Sequence, residues 1–372
     1  MLQLSMCPMI HSFSSCREFA DMFQVGKEDL IVTNRCIYDP YFSHINMKAH
    51  VIYQEEYGSG EPTDVMTDAI LEAASSRKYT RVIAVGGGTV IDIAKVLAVS
   101  ENENSVDQLY EKGQNLKKQK ELIIIPTTCG TGSEVTNIAI LNRTRIGTKM
   151  GLVSPAMYAD HAVLIPELLE SLPFEVFATS SIDALVHAVE SALSPKATNY
   201  TKIFSYKAIE MILGGYRKIV EAGRTIRGEW MGEFLTASNY AGLAFGTAGC
   251  GTVHAMSYPL GGKYHVAHGE SNYAVFGGVL RTYAKVKNTG ELTVLNNELA
   301  KSLGCAAHDS CEALERLLNQ IMIRKELRYY GVTAEDLPVF AHIVVTQQER
   351  LMANSFVPLT EVEILNIYKE LL

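Results

Sequence analysis

No Cys-x-x-Cys pair occurs in this chain, and its seven cysteines are an odd number. That usage implies reduced thiols in a cytosol. Cys129 and Cys250 read as small packing residues, not nucleophiles. Also missing is an apolar run long enough to span a bilayer, and no basic-then-apolar leader opens the sequence, so neither a membrane span nor export is expected. Positive charge is scarce too: the net charge of −8 argues against nucleic acid or an anionic membrane as a partner. There is no internal repeat and no low-complexity segment. What remains is ordinary globular composition. With 372 residues, 47% apolar and 20% charged, the chain can bury two substantial cores.

The organisation is legible in two parts. Up to about residue 167, short apolar runs alternate with helical patterns: Leu30 to Thr33, Val51 to Gln54, Arg81 to Val85, Leu122 to Ile125 and Ala162 to Ile165. Such alternation predicts an α/β domain over 1–167, built on a parallel sheet with crossover helices. Beyond Pro166 the strand signal fades and amphipathic stretches such as Tyr206 to Leu213 dominate, which predicts an all-α domain over 168–372. The charged stretch from Glu101 to Glu121 reads as a solvated surface connection.

Two loops stand at strand ends, where open α/β sheets place their ligands. Arg81 to Val85 runs into Gly86-Gly87-Gly88-Thr89, and helical periodicity begins at Val90. Strand, glycine turn and helix start together suit a pyrophosphate, because glycine admits the ligand to free amides and the helix dipole favours an anion. The glycines are consecutive, unlike the spaced dinucleotide fingerprint, and a triple glycine is also an ordinary structural turn. Asp92 and Lys95 are equally what a solvated helix face carries. The second loop, Pro126-Thr127-Thr128-Cys129-Gly130-Thr131-Gly132-Ser133-Glu134-Val135-Thr136, follows Leu122 to Ile125. Two such loops after consecutive strands are expected to face one cofactor.

The second half contains four candidate metal ligands. Asp183 and His187 stand four apart in a helical segment, so one helix face carries both. His254 and His268 bracket a glycine-rich stretch that can fold back toward them. A lone histidine near glycines is usually a packed residue. One carboxylate with three imidazoles, downstream of an anion loop, points instead to a divalent metal such as Fe(II) or Zn(II), with room for a substrate oxygen.

The motifs Gly-Gly-Gly-Thr-x-x-Asp-x-Ala-Lys, Pro-Thr-Thr-x-Gly-Thr-Gly-Ser-Glu, Asp-Ala-Leu-x-His-Ala-x-Glu and His-x-x-x-x-Pro-Leu-Gly-Gly with His-Gly-Glu occur in that order. Through most of its length the chain resembles the iron-containing alcohol dehydrogenases. The resemblance implies a dehydroquinate synthase-like architecture: an α/β dinucleotide-binding domain followed by an all-α metal-binding domain, with the active site in the cleft between them. It implies Fe(II) held by Asp183, His187, His254 and His268, and a pyrophosphate on Gly86, Gly87, Gly88 and Thr89, with Asp92 in the same motif. Thr127, Thr128, Thr131 and Thr136 are then expected to line the cofactor cleft, and Lys149 to reach the nicotinamide ribose. Two positions depart from the family pattern. Asn34 stands where many members carry an aspartate that rejects a 2′-phosphate; its amide still hydrogen-bonds a ribose hydroxyl but repels phosphate less, and NAD remains the expected cofactor over NADP. Tyr258 stands where many carry a histidine four residues after the third ligand.

Hydride transfer between an alcohol and nicotinamide follows from this set, with the metal as Lewis acid. The expected substrate is a small hydroxy acid or its aldehyde. His265, Tyr258 and Lys263 are the candidates for a distal carboxylate, with Asn239 behind them, and His265 also suits a proton relay. The alternatives are a dehydrogenase for neutral alcohols or diols, a dehydroquinate-synthase-like lyase, and a metal binder without catalysis. A cytoplasmic homo-oligomer is the expected form.

Overall fold

The computed structural model describes residues 2–101, 103, 105–224 and 228–372. Two compact units divide the chain: Met6–Leu172, and Pro173–Leu372 together with the first residues through Ser5. The division falls after Leu172 rather than at 167, because Pro166–Leu169 forms one more 3-10 turn before the helices begin.

The first unit is built on β1 (Met9–Ser12), β2 (Asp29–Thr33), β3 (His50–Tyr53), β4 (Arg81–Gly86), β5 (Glu121–Pro126), β6 (Ile138–Arg143), β7 (Thr148–Val153) and β8 (His161–Leu164). Six of them form one sheet in the order β1-β8-β5-β4-β2-β3, and each pairing in it is parallel. Val82–Val85 and Leu122–Ile125 are fully buried, as expected of central parallel strands covered on both faces. Each expected apolar run falls on a strand, although Gln54 already opens a 3-10 turn and Ile165 lies just past the end of β8.

Beyond these, the structure has β1 and the antiparallel β6–β7 hairpin. The outward positions of β1 are polar or exposed, so it carries no buried apolar run. In β6, buried and half-buried positions alternate, the mark of a strand covered on one face only. Of the Glu101 to Glu121 stretch, residues 102 and 104 lie outside the described residues; Val106–Lys112 is a helix with Val106 and Leu109 in the core.

The second unit is helical. Its centre is the Phe174–Leu193 helix, buried continuously from Ser181 to Leu193. The Asn199–Glu221 and Gly228–Ala248 helices flank it. Phe177 meets the ring of Phe234 edge-on at 4.8 Å, and Gly215 admits that ring, since a Cβ there would lie 2.5 Å from Phe234 Cζ. Thr198 and Thr201 cap the second helix reciprocally. Among the described residues, no helix is long and apolar enough to cross a membrane.

Candidate metal centre and cofactor loops

Three helices bring the four expected ligands together. Asp183 and His187 lie on the Phe174–Leu193 helix, His254 on the Thr252–Tyr264 helix, and His268 opens the His268–Val286 helix. The last two helices are separated only by His265–Ala267, because the glycine-rich Gly261 to Tyr264 continues the helix that carries His254. His265 makes the turn: it adopts the left-handed conformation at φ +55°, and its N–H donates to the Gly261 carbonyl. Gly269 then passes so close to the first helix that a Cβ would lie 2.0 Å from the Thr179 carbonyl oxygen. That approach seats His268 beside Asp183.

Asp183 Oδ1 lies 3.7 Å from His254 Nε2 and 3.6 Å from His268 Nε2, Asp183 Oδ2 lies 3.8 Å from His187 Nδ1, and the Nε2 atoms of His187 and His254 are 3.0 Å apart. Donors about 2.1 Å from a common ion in a tetrahedral array stand roughly 3.4 Å from one another. Each of the four residues offers one donor atom within 4.8 Å of the other three, so the set is compact enough to close on a divalent first-row metal. Asp183, His187 and His254 are buried and His268 is half-buried, so one side stays accessible. Burial acts to raise the carboxyl of Asp183, but His187, His268, His254 and a hydrogen bond from Asn272 outweigh it and hold the group low. Burial pushes His187 down to about 4 against the pull of Asp183, leaving a neutral imidazole, the form that binds a metal.

Two further residues belong to this centre. Glu190 follows Asp183 and His187 on the same helix face, and its Oε2 accepts from His254 Nδ1 at 2.6 Å. The same carboxylate accepts the N–H groups of Gly251 at 3.0 Å and Val253 at 2.6 Å, capping the helix that carries His254. With its proton directed to Glu190 through Nδ1, His254 presents Nε2 to the cluster. Asn272, one turn beyond His268, donates to Asp183 Oδ1 at 2.7 Å, with its Nδ2 at 3.2 Å from His254 Nε2 and 3.3 Å from His268 Nε2. Its Oδ1, on the other arm of the amide, is buried with no hydrogen-bond partner among the described residues. Cys250 is near Glu190, but burial first, then Glu190 and Asp183, push its thiol well up, so it stays protonated and packs.

Around the cluster, Tyr258 is half-buried with its ring 6.2 Å from that of His268. His265 is exposed. Lys263 is engaged elsewhere: it pairs with Asp336, which Tyr264 also contacts through its hydroxyl at 2.5 Å. Asn239 is buried.

In the first unit, β4 ends at Gly86 and the Gly88–Val99 helix starts from Gly87 with no side-chain cap, so its first-turn amides point out unclaimed by a capping side chain. A Cβ at Gly86 would lie 2.6 Å from Val90 Cβ, so only glycine lets the strand end meet the helix this closely. Thr89 donates to the Gly60 carbonyl at 3.0 Å. Parallel pairing sets Gly86 against Pro126, which brings the threonine loop alongside: a Cβ on Gly87 would meet the Thr128 methyl at 3.6 Å, and one on Gly88 the Thr131 methyl at 3.3 Å. Thr127 is buried, with its N–H donating to the Gly86 carbonyl.

Four residues expected at the cofactor also have partners within the chain. Asp92 accepts from Ser133 Oγ at 3.1 Å and the Ile140 amide at 2.9 Å, tying its helix to the loop and to β6. Thr136 Oγ1 accepts from the buried Lys95 ammonium at 3.1 Å and donates to the Ser133 carbonyl, rather than opening to solvent. Lys149 pairs with Glu61 at 2.5 Å. Asn34 donates its amide to Glu55 and Gln54.

Comparison with known proteins agrees with this geometry. Residues 10–166 match the model of the iron-containing alcohol dehydrogenases, and residues 177–372 match that of the C-terminal part of the Fe-containing alcohol dehydrogenase family. The chain is 46% identical over 368 residues to the 4-hydroxybutyrate dehydrogenase of Clostridium kluyveri, covering 99% of each. It is 36% identical to long-chain-alcohol dehydrogenase 1 of Geobacillus thermodenitrificans, covering 92% of this chain and 89% of that one. The fold superposes with a TM-score of 0.85 on sulfoacetaldehyde reductase from Bifidobacterium kashiwanohense in complex with NAD+, at 22% identity and covering 100% and 99% of the two chains.

Proposed function

The chain belongs to the iron-containing alcohol dehydrogenase family, and from that premise we propose that it interconverts 4-hydroxybutyrate and succinate semialdehyde with NAD and Fe(II). The clustered carboxylate and three imidazoles, with donor atoms within 4.8 Å of one another, carry the chemistry. The near full-length likeness to the Clostridium kluyveri enzyme supports the substrate. An ion held there supplies Lewis acidity toward the substrate oxygen, and NAD accepts or returns the hydride.

The protein residues divide the remaining work. Asp183, His187, His254 and His268 would hold the ion, Glu190 fixes the tautomer of His254, and Asn272 keeps Asp183 in place. Zn(II) suits the same donors, and affinity order favours it over iron, so the metal is part of the proposal. Gly86, Gly87, Gly88 and Thr89 would carry the pyrophosphate, with Thr127, Thr128 and Thr131 beside it. Tyr258 lies beside His268 and is the nearer candidate for the substrate wall, while exposed His265 would serve the distal carboxylate or relay the alcohol proton. Lys263 already has a carboxylate partner in Asp336. We place the protein in the cytoplasm as a homo-oligomer.

The test is anaerobic NADH oxidation by Fe(II)-loaded protein with succinate semialdehyde, butyraldehyde and lactaldehyde, beside a His268→Ala control. A preference for succinate semialdehyde that disappears in the control is the expected result. Equal or faster turnover of the neutral aldehydes would refute the hydroxy-acid substrate and leave a dehydrogenase of neutral alcohols.

A further inference from the structure

The end of β2 carries a feature the cofactor loops do not explain. Thr33 pairs with Tyr53 of β3, and Val32 pairs with Ala84 of β4, so Asn34 emerges between the Gln54–Glu56 turn and the glycine turn at Gly86. In doubly wound sheets that bind dinucleotides, an acidic side chain placed in this way accepts from the adenosine ribose 2′-hydroxyl and repels a 2′-phosphate. Asn34 itself has no charge to do so.

A charge is delivered instead from the turn that follows the neighbouring strand. Asn34 Nδ2 donates to Glu55 Oε2 at 2.7 Å and to Gln54 Oε1 at 3.2 Å, while the Arg35 N–H donates to Glu55 Oε1 at 2.7 Å. Both oxygens of Glu55 are therefore fixed at the very position the sequence leaves neutral. Burial acts to raise this carboxyl, but the Arg35 amide, its own backbone amide and Asn34 outweigh it, so the group is anionic at neutral pH. Arg35 is the cation that would otherwise welcome a phosphate here. Its guanidinium lies 3.9 Å over the Tyr53 ring and pairs with Glu56 at 2.5 Å, so its charge is already answered.

We propose that Glu55, locked to Asn34 and the Arg35 amide, selects NAD(H) against NADP(H), while Glu56 withholds Arg35 from a 2′-phosphate. This rests on the NAD-dependent reading given above. Glu55 is a specificity residue supplied by the turn after β3, beside the strand end where the sequence pattern places it. It also accounts for a preference for NAD in a chain whose own strand-end residue is an amide.

Calorimetric titration of the purified protein with NADH and with NADPH tests this without relying on turnover. The wild type is expected to bind NADH at least about tenfold more tightly than NADPH, as expected for like-charge rejection of an extra phosphate. Glu55→Gln keeps the shape and one acceptor, and should tighten NADPH by about tenfold. Glu56→Gln should also tighten NADPH by releasing Arg35, and both side chains are exposed, so folding is not at stake. Normal NADH binding with an unchanged NADPH constant in Glu55→Gln overturns the role of Glu55 alone. Binding of neither dinucleotide by the wild type overturns the dehydrogenase reading itself, and this role with it.

Discussion

Replacing Glu190 by glutamine removes one charge and changes almost no volume, yet it should loosen the metal centre. The carboxylate now accepts three hydrogen bonds, from the Gly251 and Val253 amides and from His254 Nδ1. Glutamine keeps one carbonyl oxygen, which suffices for Val253 at 2.6 Å. Its amide nitrogen then faces His254 Nδ1 and the Gly251 N–H, where two donors oppose donors. The imidazole is relieved by moving its proton to Nε2, which turns the ligand nitrogen into a donor aimed at the other ligands. Loss of an outer partner of this kind costs about 10–100-fold in metal affinity, or about 1.4–2.7 kcal/mol.

The affinity of the wild type and of Glu190→Gln for Co(II) can be measured by competition with a chromophoric chelator, with a thermal melt of each metal-free protein alongside. The expected result is a loss of affinity in that range, with a smaller drop in melting temperature from the weakened helix cap. Glu190→Asp, which restores the charge on a shorter arm, should recover part of the affinity. If Glu190→Gln binds Co(II) as tightly as the wild type, His254 does not depend on Glu190 for its tautomer and the argument fails.

Two other outcomes follow from the packing. Gly269→Ala puts a methyl 2.0 Å from the Thr179 carbonyl oxygen, so the His268 helix must move away; a loss of about 1–3 kcal/mol is expected by denaturant melts, with weaker Co(II) binding in the same protein. Unchanged metal affinity would show that the close crossing does not seat His268. Burial lowers Lys95 from 10.5 to about 8, against the pull of Asp92 and Glu134. Between those two values the unfolded chain holds a proton that the folded one has released, so stability rises with pH through the window, by up to about 3 kcal/mol from this group. Urea melts from pH 7.5 to 10.5 should show that rise in the wild type and a flatter profile in Lys95→Met. Parallel profiles for the two proteins would contradict the sign.

Why some of this could be read from the sequence and some could not is a matter of range. Val82–Val85 and Leu122–Ile125 announce themselves because central parallel strands are apolar on both faces, whereas β1 and the β6–β7 hairpin keep an open face and have no such run. Asp183 and His187 share a helix face by local spacing, and the same arithmetic extends to Glu190 three residues further and to Asn272 four beyond His268. Those two roles had a signal in the sequence. Asp92 and Thr136 stand in glycine and threonine motifs that suggest ligand contact, and the fold also sets both around the ammonium of Lys95, whose burial no linear pattern reveals. Glu55 lies at the opposite extreme. Its approach to Asn34 depends on the register of β2 against β3, with Thr33 against Tyr53, and a shift of that register by one residue would carry the carboxylate to the other side of the sheet. Ligands that a helix supplies from one face can thus be found by counting along the chain, whereas a charge lent across a strand pair becomes visible only once the pairing is known.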